Sequence, residues 1–460
     1  MVNLVQTLID RVDERRRLVE AADRAPQLVV IRGRRRVGKS FLIHRSLEGR
    51  RQISLQADEQ EEGGHLELLA EETARLLPGA PPLRFASWDE ALRFLAAEAE
   101  REPLVLVLDE FQWLLQAQPA LDSIVQRHWD RWQRSSTPIT LILSGSALSL
   151  MEGLLDHGSP LFGRADYRPL LEPLDYRIAA EFGGAGLSPA EKLKRYAVLG
   201  GTPQYQVWAG SARVMPAIEA RVLRKGESLY EEPLHLLREE QRVRDPGTYF
   251  AILRAIAGGA TRFNELKQRA RIDANLDVML ARLEELGYVE RRVPVGQAGG
   301  RPSYRIRDPF FRFWFRYVFP ARSRLERGRV EEVLAEIEAD LDTFMGAAFE
   351  DCCREWVGRY APPDAIPRFD ALGAWWSRTG DVEIDVVATR KERPVLLGSC
   401  KWSARTPAAV LDELRRQQAH LGAVAAEARL AVFARGFTPA LVSRARSEEV
   451  LLVSAADLFG

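Results

Sequence analysis

Cysteine and histidine are scarce in this 460-residue chain, which has three cysteines and six histidines. Two of the cysteines, Cys352 and Cys353, are adjacent, so a disulfide framework like that of small secreted proteins is not expected. The histidines never fall at ligand spacing with a cysteine, which argues against a structural zinc site. This usage is typical of a reducing compartment, and we expect a cytoplasmic protein.

The chain also lacks an excess of either charge and a long hydrophobic run. It has 65 basic and 65 acidic residues, so any nucleic-acid-binding surface must be local. No run approaches the length that spans a bilayer, and the acidic Asp10 follows the short apolar stretch near the N-terminus, unlike in a signal peptide. The aromatic segment 309–320 is too short to span and is predicted to be a buried helix. We therefore expect no membrane partner.

The length predicts several domains. Short apolar runs at 27–31, 103–109 and 139–146 are typical of buried parallel strands. Three helices and a hairpin with a glycine-rich tip follow, which is the order of a winged helix-turn-helix. The last unit predicts helix, strand, strand, helix, strand, helix. The predicted domains are an ATPase core (1–170), a helical lid without strands (171–240), a winged helix (241–310), a linker helix (311–338) and a small α/β domain (339–460).

One loop carries the strongest chemical signal. The sequence "GRRRVGKS" fits the phosphate-binding pattern of two glycines, a lysine and a serine, with a predicted strand before it and a helix after it. The glycines allow backbone N–H groups to surround phosphate oxygens, and the helix N-terminus favours an anion. Lys39 is expected to reach the β- and γ-phosphates and Ser40 to bind Mg²⁺. The predicted nucleotide-binding residues are Gly33, Arg34, Arg35, Arg36, Val37, Gly38, Lys39 and Ser40.

Polar residues at the ends of two other predicted strands complete this site. Asp109 ends the strand in "LVLVLDEF", where a carboxylate holds Mg²⁺ through water, and Glu110 is a candidate general base for the attacking water. Ser144 ends the next strand and is a weaker candidate for contact with the γ-phosphate or the water. The sequence therefore predicts ATP and Mg²⁺ as ligands.

The order of several motifs resembles the archaeal-type ATPases of the AAA+/STAND group. The motifs are "GRRRVGKS", "DEFQWL", "LSGSALSLM", "SPLFGR", "YAVLGGTPQY" and "YRIRDPFFRFWFRYV". The resemblance implies an α/β fold: a P-loop NTPase parallel sheet with a helical lid, a winged helix and a C-terminal nuclease-like domain of the PD-(D/E)XK type. The cellular role of this family is poorly defined, so the resemblance indicates which domains are present more than what they do in the cell.

The resemblance also suggests roles for several arginines. Arg11 lies in an N-terminal box that would be near the adenine, or it is a surface residue. Arg164 would neutralise γ-phosphate charge, often across a subunit interface, or it forms a structural salt bridge. Arg34–Arg36 either are solvated or paired within the domain, which we favour, or meet a partner subunit, a neighbouring domain or nucleic acid. A homo-oligomer is therefore left open.

DNA is a candidate partner of the predicted winged helix. Its recognition helix, about 273–286, has an acidic exposed face with Arg282 as its one clear base-reading candidate. The preceding helix and the wing carry more basic residues, which is equally consistent with contacts to the DNA backbone and with an interdomain packing role. These basic residues are Lys267, Arg269, Arg271, Arg291, Arg292, Arg301, Arg305 and Arg307.

The C-terminal motifs "FEDCCREW", "GDVEIDVVA" and "LLGSCKW" are matched to the nuclease site by the resemblance alone. Glu350, Asp385 and Lys401 match residues that hold Mg²⁺ and activate water. The remaining carboxylate is replaced by Ser399, a poor metal ligand. Glu383, on the same strand face as Asp385, is a candidate substitute. We favour an inactive fold used for binding or assembly, with DNA contact possible through this domain as well.

Two functions remain open at this point. The first is an Mg²⁺-dependent ATPase whose cycle moves the winged helix and the nuclease-like domain. The second is a nucleotide-gated DNA-binding switch with negligible turnover. Glu110 favours the first, since a pure switch does not require an acid at that position. The sequence does not define a biological target, a DNA sequence or an oligomeric state.

Overall fold

The computed structural model describes residues 8–77, 82–240, 245–296 and 300–460. The chain folds into two compact units, with the boundary between Pro173 and Leu174. The second unit comprises most of the chain from Leu174 onward. Within the described ranges, no helix is long and apolar enough to cross a membrane.

The first unit is built on a parallel four-stranded sheet, which confirms the predicted fold class. Its strands are β1 (Gln27–Arg32), β2 (Gln52–Gln56), β3 (Leu104–Asp109) and β4 (Ile139–Gly145), in the spatial order β1-β4-β3-β2. The apolar runs in the sequence predicted β1, β3 and β4 but not β2. The reason is that β2 is an edge strand with alternating burial, whereas the other three are apolar on both faces.

Helices pack on both faces of this sheet. Successive residues of β1 enter opposite cores: Leu28 and Val30 pack in one hydrophobic cluster, and Val29 and Ile31 pack in the other. Each strand is therefore fixed from two sides, and the carboxyl ends of β1, β3 and β4 meet at one edge. The helices are α1 (Val12–Asp23), α2 (Lys39–Ser46), α3 (Glu62–Leu76), α4 (Trp88–Arg101), α5 (Phe111–Ala117), α6 (Leu121–Ser135) and α7 (Leu148–Gly153).

The second unit begins with helices. The side chain of Asp175 accepts hydrogen bonds from the backbone of Arg177 and Ile178 and so caps the first of them. In the segment "LGGTPQY", a Cβ at Gly201 would lie 1.7 Å from the Leu174 carbonyl oxygen, so only glycine fits there. The elements are α8 (Tyr176–Glu181), α9 (Pro189–Leu199), α10 (Pro203–Ala209), α11 (Val214–Ala217), a π-helical segment (Ile218–Leu223) and α12 (Glu232–Glu239).

Three helices and an antiparallel hairpin follow. They are α13 (Pro246–Ala257), α14 (Phe263–Ala270), α15 (Leu276–Glu285), β5 (Val289–Arg292) and β6 (Ser303–Ile306). Leu276, Leu280 and Leu283 face the core from α15, at helical spacing. The glycine-rich tip that was predicted for the hairpin falls at 297–299, outside the described residues.

The aromatic segment forms α16 (Pro309–Phe313), a π-helical segment (Trp314–Val318) and α17 (Phe319–Leu325). Phe310, Phe311, Phe313 and Trp314 are fully buried, so this segment is part of the core of the second unit. The 26-residue helix α18 (Val330–Glu355) comes next. The domain boundary predicted at 338/339 lies inside this helix, which runs through it without a break.

A mixed five-stranded sheet ends the chain. Its order is β11-β10-β9-β8-β7, with β7, β8 and β9 antiparallel and β9, β10 and β11 parallel. The predicted element order missed β7 and β11, the two edge strands, which are short and only partly buried. The elements are a π-helical segment (Trp356–Tyr360), β7 (Ala371–Trp376), β8 (Glu383–Arg390), β9 (Arg393–Lys401), α19 (Ala409–His420), a 3₁₀ turn (Ala423–Ala425), β10 (Arg429–Ala434), α20 (Pro439–Ser447), β11 (Leu451–Ser454) and a 3₁₀ turn (Asp457–Phe459).

Candidate nucleotide-binding site

The phosphate-loop sequence lies between the end of β1 and the start of α2. Gly38 caps α2 with φ 97°, a left-handed conformation that favours glycine. A Cβ at Gly33 would lie 2.8 Å from the Leu171 carbonyl oxygen and 2.9 Å from Val37 Cγ1. Local conformation therefore favours glycine at position 38, and the lack of space for a Cβ favours it at position 33.

Lys39 is buried at the first position of α2. Its Nζ donates a hydrogen bond to the Gly33 carbonyl oxygen at 2.9 Å, so the ammonium reaches back over the loop. Burial lowers the pKa of Lys39, and the nearby carboxylates of Glu110 and Asp109 only partly offset this effect. A buried cation of this kind is stabilised further by an anion placed beside it.

Ser40 and Asp109 meet at the carboxyl edge of the sheet. The Ser40 hydroxyl donates a hydrogen bond to Asp109 Oδ2 at 2.5 Å. Asp109 is the last residue of β3 and is buried, whereas Ser40 is exposed. The structure thus brings together the two residues that were predicted to hold Mg²⁺, and both present oxygen atoms, which this ion prefers.

Glu110 follows Asp109 in a left-handed conformation, with φ 53°. Its Oε2 accepts hydrogen bonds from Gln112 Nε2 at 2.5 Å and from the Ser146 hydroxyl at 2.7 Å. Burial would raise the pKa of Glu110, but the Lys39 ammonium and these donors outweigh burial and lower it. The carboxylate is therefore ionised and held in a fixed position. Ser146 and Gln112 were not predicted as site residues, although both lie in the motifs "LSGSALSLM" and "DEFQWL".

Ser144 is the sixth residue of β4 and pairs in register with Ile31, just before the phosphate loop. Its hydroxyl is buried and has no hydrogen-bond partner in the described part of the chain. A buried polar atom of this kind is rare and costly unless a ligand or water satisfies it. This orphaned hydroxyl fits a site that takes a polar ligand.

The remaining arginines of the prediction differ in their surroundings. Arg34, Arg35 and Arg36 each have an interaction partner. Arg11 pairs with Glu14 at 3.2 Å and donates to the Glu172 carbonyl oxygen. Contact of any of these residues with nucleotide or with a partner subunit stays a prediction.

Arg164 forms a bidentate pair with Asp130. Its Nε lies 2.7 Å from Oδ1 and its Nη2 lies 3.0 Å from Oδ2. A third hydrogen bond, from Nη1 to the Pro160 carbonyl oxygen at 2.9 Å, fixes the side chain further. This geometry favours the salt-bridge interpretation of Arg164. No spacing or motif in the sequence indicated that Asp130, on α6, is its partner.

Together, these residues fit an ATP·Mg²⁺ complex. The loop and the N-terminus of α2 offer backbone N–H groups, Lys39 offers the cation, and Ser40 and Asp109 offer oxygen ligands. Glu110 and Ser144 lie at the ends of the neighbouring strands, at the same edge. The order of the strands therefore places Asp109, Glu110 and Ser144 beside the loop.

The predicted nuclease-like residues also come together, in the second unit. Asp385 Oδ2 accepts a hydrogen bond from the Cys400 backbone N–H at 2.6 Å, and Ser399 is buried on the neighbouring strand. Burial raises the pKa of both Glu350 and Asp385, and repulsion from Asp385 adds to the effect on Glu350. The carboxyls are therefore close, and ionisation of the group is opposed.

Basic side chains of the protein already contact some of these nuclease-like residues. Arg354, four residues after Glu350, lies 3.6 Å from its Oε2 and donates to the Asp385 carbonyl oxygen at 2.5 Å. Lys401 Nζ is 3.5 Å from Glu413 Oε2. Burial raises the pKa of Glu383, and repulsion from Glu350 contributes. Over the described residues, no group of three or more histidine, cysteine, aspartate or glutamate side chains has metal-holding geometry.

Comparison with known proteins supports an ATPase domain in the N-terminal part of the chain. Residues 8–207 match the family described as an ATPase domain predominantly from Archaea, and residues 314–417 match a family of archaeal and bacterial proteins of unknown function. The chain therefore contains an archaeal-type ATPase domain, which confirms the resemblance to archaeal-type ATPases, and its C-terminal part matches the second family. The nuclease-like assignment of that part stays a prediction.

Individual relatives extend over most of the chain. An uncharacterized protein of Methanocaldococcus jannaschii is 29% identical over 403 residues, which cover 86% of this chain and 87% of that protein. A Walker-type ATPase of Pyrococcus abyssi is similar in structure, with 24% identity, a TM-score of 0.48 and coverage of 67% of this chain and 96% of that chain. The ORC2 protein of Aeropyrum pernix, described in ADPNP and ADP complexes, has 17% identity, a TM-score of 0.47 and coverage of 72% and 96%.

Proposed function

We propose that the chain is an Mg²⁺-dependent ATP hydrolase in which the nucleotide state controls a DNA-contacting winged helix. The observation that carries this proposal is the joint placement of Lys39, Ser40, Asp109 and Glu110 at one edge of the sheet. The match to the ATPase family supports it.

In this proposal each residue has a separate task. The backbone of the loop and Lys39 bind the phosphates, and Ser40 and Asp109 would hold Mg²⁺. Bound Mg²⁺ would neutralise charge on the phosphate oxygens. Glu110 orients the attacking water; because its pKa is lowered, its contribution is positioning and charge more than strong proton abstraction. Such positioning accounts for most of catalysis in phosphoryl transfer.

The test separates hydrolysis from binding. Glu110→Gln keeps the size of the side chain and an oxygen that accepts from Ser146, so we expect unchanged ATP affinity and a kcat lowered by about 100-fold or more. Glu100→Gln, an exposed change on α4, is the matched control. Steady-state phosphate release is measured with and without DNA. A wild-type chain that binds ATP but releases no phosphate under either condition would establish the nucleotide-gated switch instead.

The lysine of the loop is tested by binding. Lys39→Ala removes a buried charge that hydrogen-bonds within the loop, and it should weaken binding of a fluorescent ATP analogue by about 10- to 100-fold, the range for a charged hydrogen bond. Arg75→Ala, on an exposed side chain of α3, serves as the control. Equal affinity in a folded Lys39→Ala protein would refute the assignment of the loop.

We infer DNA contact from the exposed basic residues of α14 and the hairpin. Lys267, Arg291 and Arg301 are exposed, whereas Arg292 and Arg305 are mostly buried. Binding should therefore be salt-sensitive and largely independent of sequence. Each lost phosphate contact, in Lys267→Gln or Arg301→Gln, should reduce the slope of log affinity against log salt by about 0.9. Arg446→Gln, an exposed change on α20, should leave this slope unchanged. If the affinity for DNA does not depend on salt concentration, the three helices and the hairpin serve for packing instead.

A further inference from the structure

A cavity of about 490 Å³ lies within the second unit, apart from the nucleotide site. The hairpin β5–β6, the start of α16, the helix α18 and the edge strand β7 surround it. The hairpin is anchored to β7 by a hydrogen bond from the Val295 backbone N–H to the Ala374 carbonyl oxygen at 3.0 Å. Cavities of this size hold small organic ligands in other proteins.

The lining of this cavity is rich in arginine. It contains the five arginines Arg292, Arg305, Arg307, Arg312 and Arg354 but only the three acids Glu290, Asp351 and Glu355. Burial of positive charge without an equal number of anions is costly. The composition therefore indicates an anionic ligand, provided that the arginines are not all neutralised by these acids.

The geometry shows how the acids are shared. Asp351 forms ion pairs with three guanidinium groups, at 2.7 Å from Arg305, 2.7 Å from Arg354 and 3.3 Å from Arg312. Glu290 lies 2.7 Å from Arg305 and 3.8 Å from Arg292. Arg305 and Arg354 thus take the closest contacts of Asp351, and Arg305 takes that of Glu290. Arg292 and Arg312 are left with long contacts.

The shortage of counter-charge is evident at individual nitrogen atoms of the arginines. Arg312 is 8% exposed, and its Nε and Nη1 are buried without a hydrogen-bond partner among the described residues. Burial, with repulsion from Arg305, lowers the pKa of Arg312, and burial with repulsion from Arg305 and Arg354 lowers the pKa of Arg292 to about 10. Both side chains are thus cations with less than a full counter-charge.

We propose that this cavity binds a phosphomonoester, held by Arg292 and Arg312. Two under-compensated guanidinium groups match the charge of about −1.5 to −2 that such a group carries at neutral pH. The planar guanidinium presents paired N–H donors to phosphate oxygens, which suits Arg312 because two of its nitrogen atoms are unpaired. The volume accommodates a mononucleotide or the terminal nucleotide of a strand. This site does not depend on hydrolysis at the phosphate loop.

The test uses the full chain with Lys39→Ala, which weakens nucleotide binding at the phosphate loop. Isothermal titration calorimetry compares AMP with adenosine, which lacks the phosphate. It then compares an oligonucleotide carrying a 5′-phosphate with the same oligonucleotide carrying a 5′-hydroxyl. We expect AMP to bind and adenosine to bind at least about tenfold more weakly, because charged hydrogen bonds are lost. Preference for the phosphorylated strand over AMP identifies a strand end as the source, and the reverse identifies a free nucleotide.

Variants connect this binding to the cavity. In the same background, Arg292→Gln and Arg312→Gln should each weaken AMP binding by about tenfold or more, and Arg446→Gln should leave it unchanged. Circular dichroism establishes folding of each variant; Arg292, on the hairpin and 22% exposed, decides the outcome if the Arg312 variant does not fold. Absence of AMP and 5′-phosphate binding, or equal binding by a folded Arg292→Gln protein, would overturn the proposal.

Discussion

The Ser40 hydroxyl donates a 2.5 Å hydrogen bond to Asp109 Oδ2 across 69 positions of the chain. Ser40 is the second residue of the helix after the phosphate loop, and Asp109 ends β3. Their contact exists because parallel strands end at the same edge of a sheet. It joins the two predicted oxygen ligands of Mg²⁺.

Asp109→Asn should therefore remove most of the effect of Mg²⁺ on nucleotide binding. The amide keeps an oxygen that accepts from Ser40 but loses the charge that a hard divalent ion requires. We expect the affinity for ATP in Mg²⁺ to fall about tenfold or more, toward the value in EDTA, for a charged interaction. The measurement is a titration with a fluorescent ATP analogue in both buffers. Asp23→Asn, on an exposed ion pair of α1, should retain the full Mg²⁺ effect; the same retention in Asp109→Asn would remove Asp109 from the ion site.

The sequence predicted what depends on local spacing. The phosphate loop needs one strand, two glycines and a helix, all within about a dozen residues, and its parts were recognisable together. Likewise, β1, β3 and β4 are apolar on both faces, and such runs are easily identified. The edge strand β2 is polar at alternate positions and was missed for that reason.

Pairing between distant residues was not predictable in this way. Arg292 and Arg305 lie on a hairpin that resembles a basic wing, and the sequence suggested DNA contact for both. Both are mostly buried instead: Arg305 lies 2.7 Å from Glu290 and from Asp351, which is on a helix far along the chain, and Arg292 lies 3.8 Å from Glu290. The partner of Arg164 was similarly hidden, since Asp130 is 34 positions away. Charge alone does not define which side of a hairpin an arginine occupies.

The Arg164–Asp130 pair is expected to be structural. Arg164→Ala and Asp130→Ala should each lower the free energy of unfolding by about 0.5–1 kcal/mol, the usual size for a partly exposed pair, and the double variant should cost little more than either. Urea unfolding measures both. Turnover of ATP should change by less than about threefold, below the loss expected for an arginine that stabilises transition-state charge. A large drop in kcat for Arg164→Ala alone, with normal turnover in Asp130→Ala, would show that this arginine acts on the phosphate.

Ser399→Glu is expected to make the nuclease-like site dependent on Mg²⁺. The new carboxyl is buried near Asp385 and Glu350, whose pKa values are already raised, so without a cation it should destabilise the chain by about 1–3 kcal/mol. Mg²⁺ should restore part of this loss, measured as a rise in melting temperature that is larger than in the wild type. We expect little DNA cleavage by the wild-type chain. Ser443→Glu, an exposed change on α20, is the control. Efficient cleavage by the wild type that disappears in Asp385→Ala would show that the present residues already complete the site.

Glu355 should make the stability of the second unit depend on pH. Burial and repulsion from Asp175 raise its pKa from 4.5 to about 7, although Arg359 lies 3.4 Å away and opposes the shift. The protonated form is favoured by folding, so its stabilising contribution is complete below pH 4.5 and is lost as the pH rises through 7. At pH 8 the loss amounts to at most about 3 kcal/mol. Glu355→Gln, which cannot ionise, should therefore be relatively more stable than the wild type at pH 8 than at pH 5, as measured by urea unfolding. The exposed change Glu449→Gln should give the same difference at both pH values. If the stability difference between Glu355→Gln and the wild type is also the same at pH 5 and pH 8, the surroundings of Glu355 do not hold its carboxyl in the protonated form.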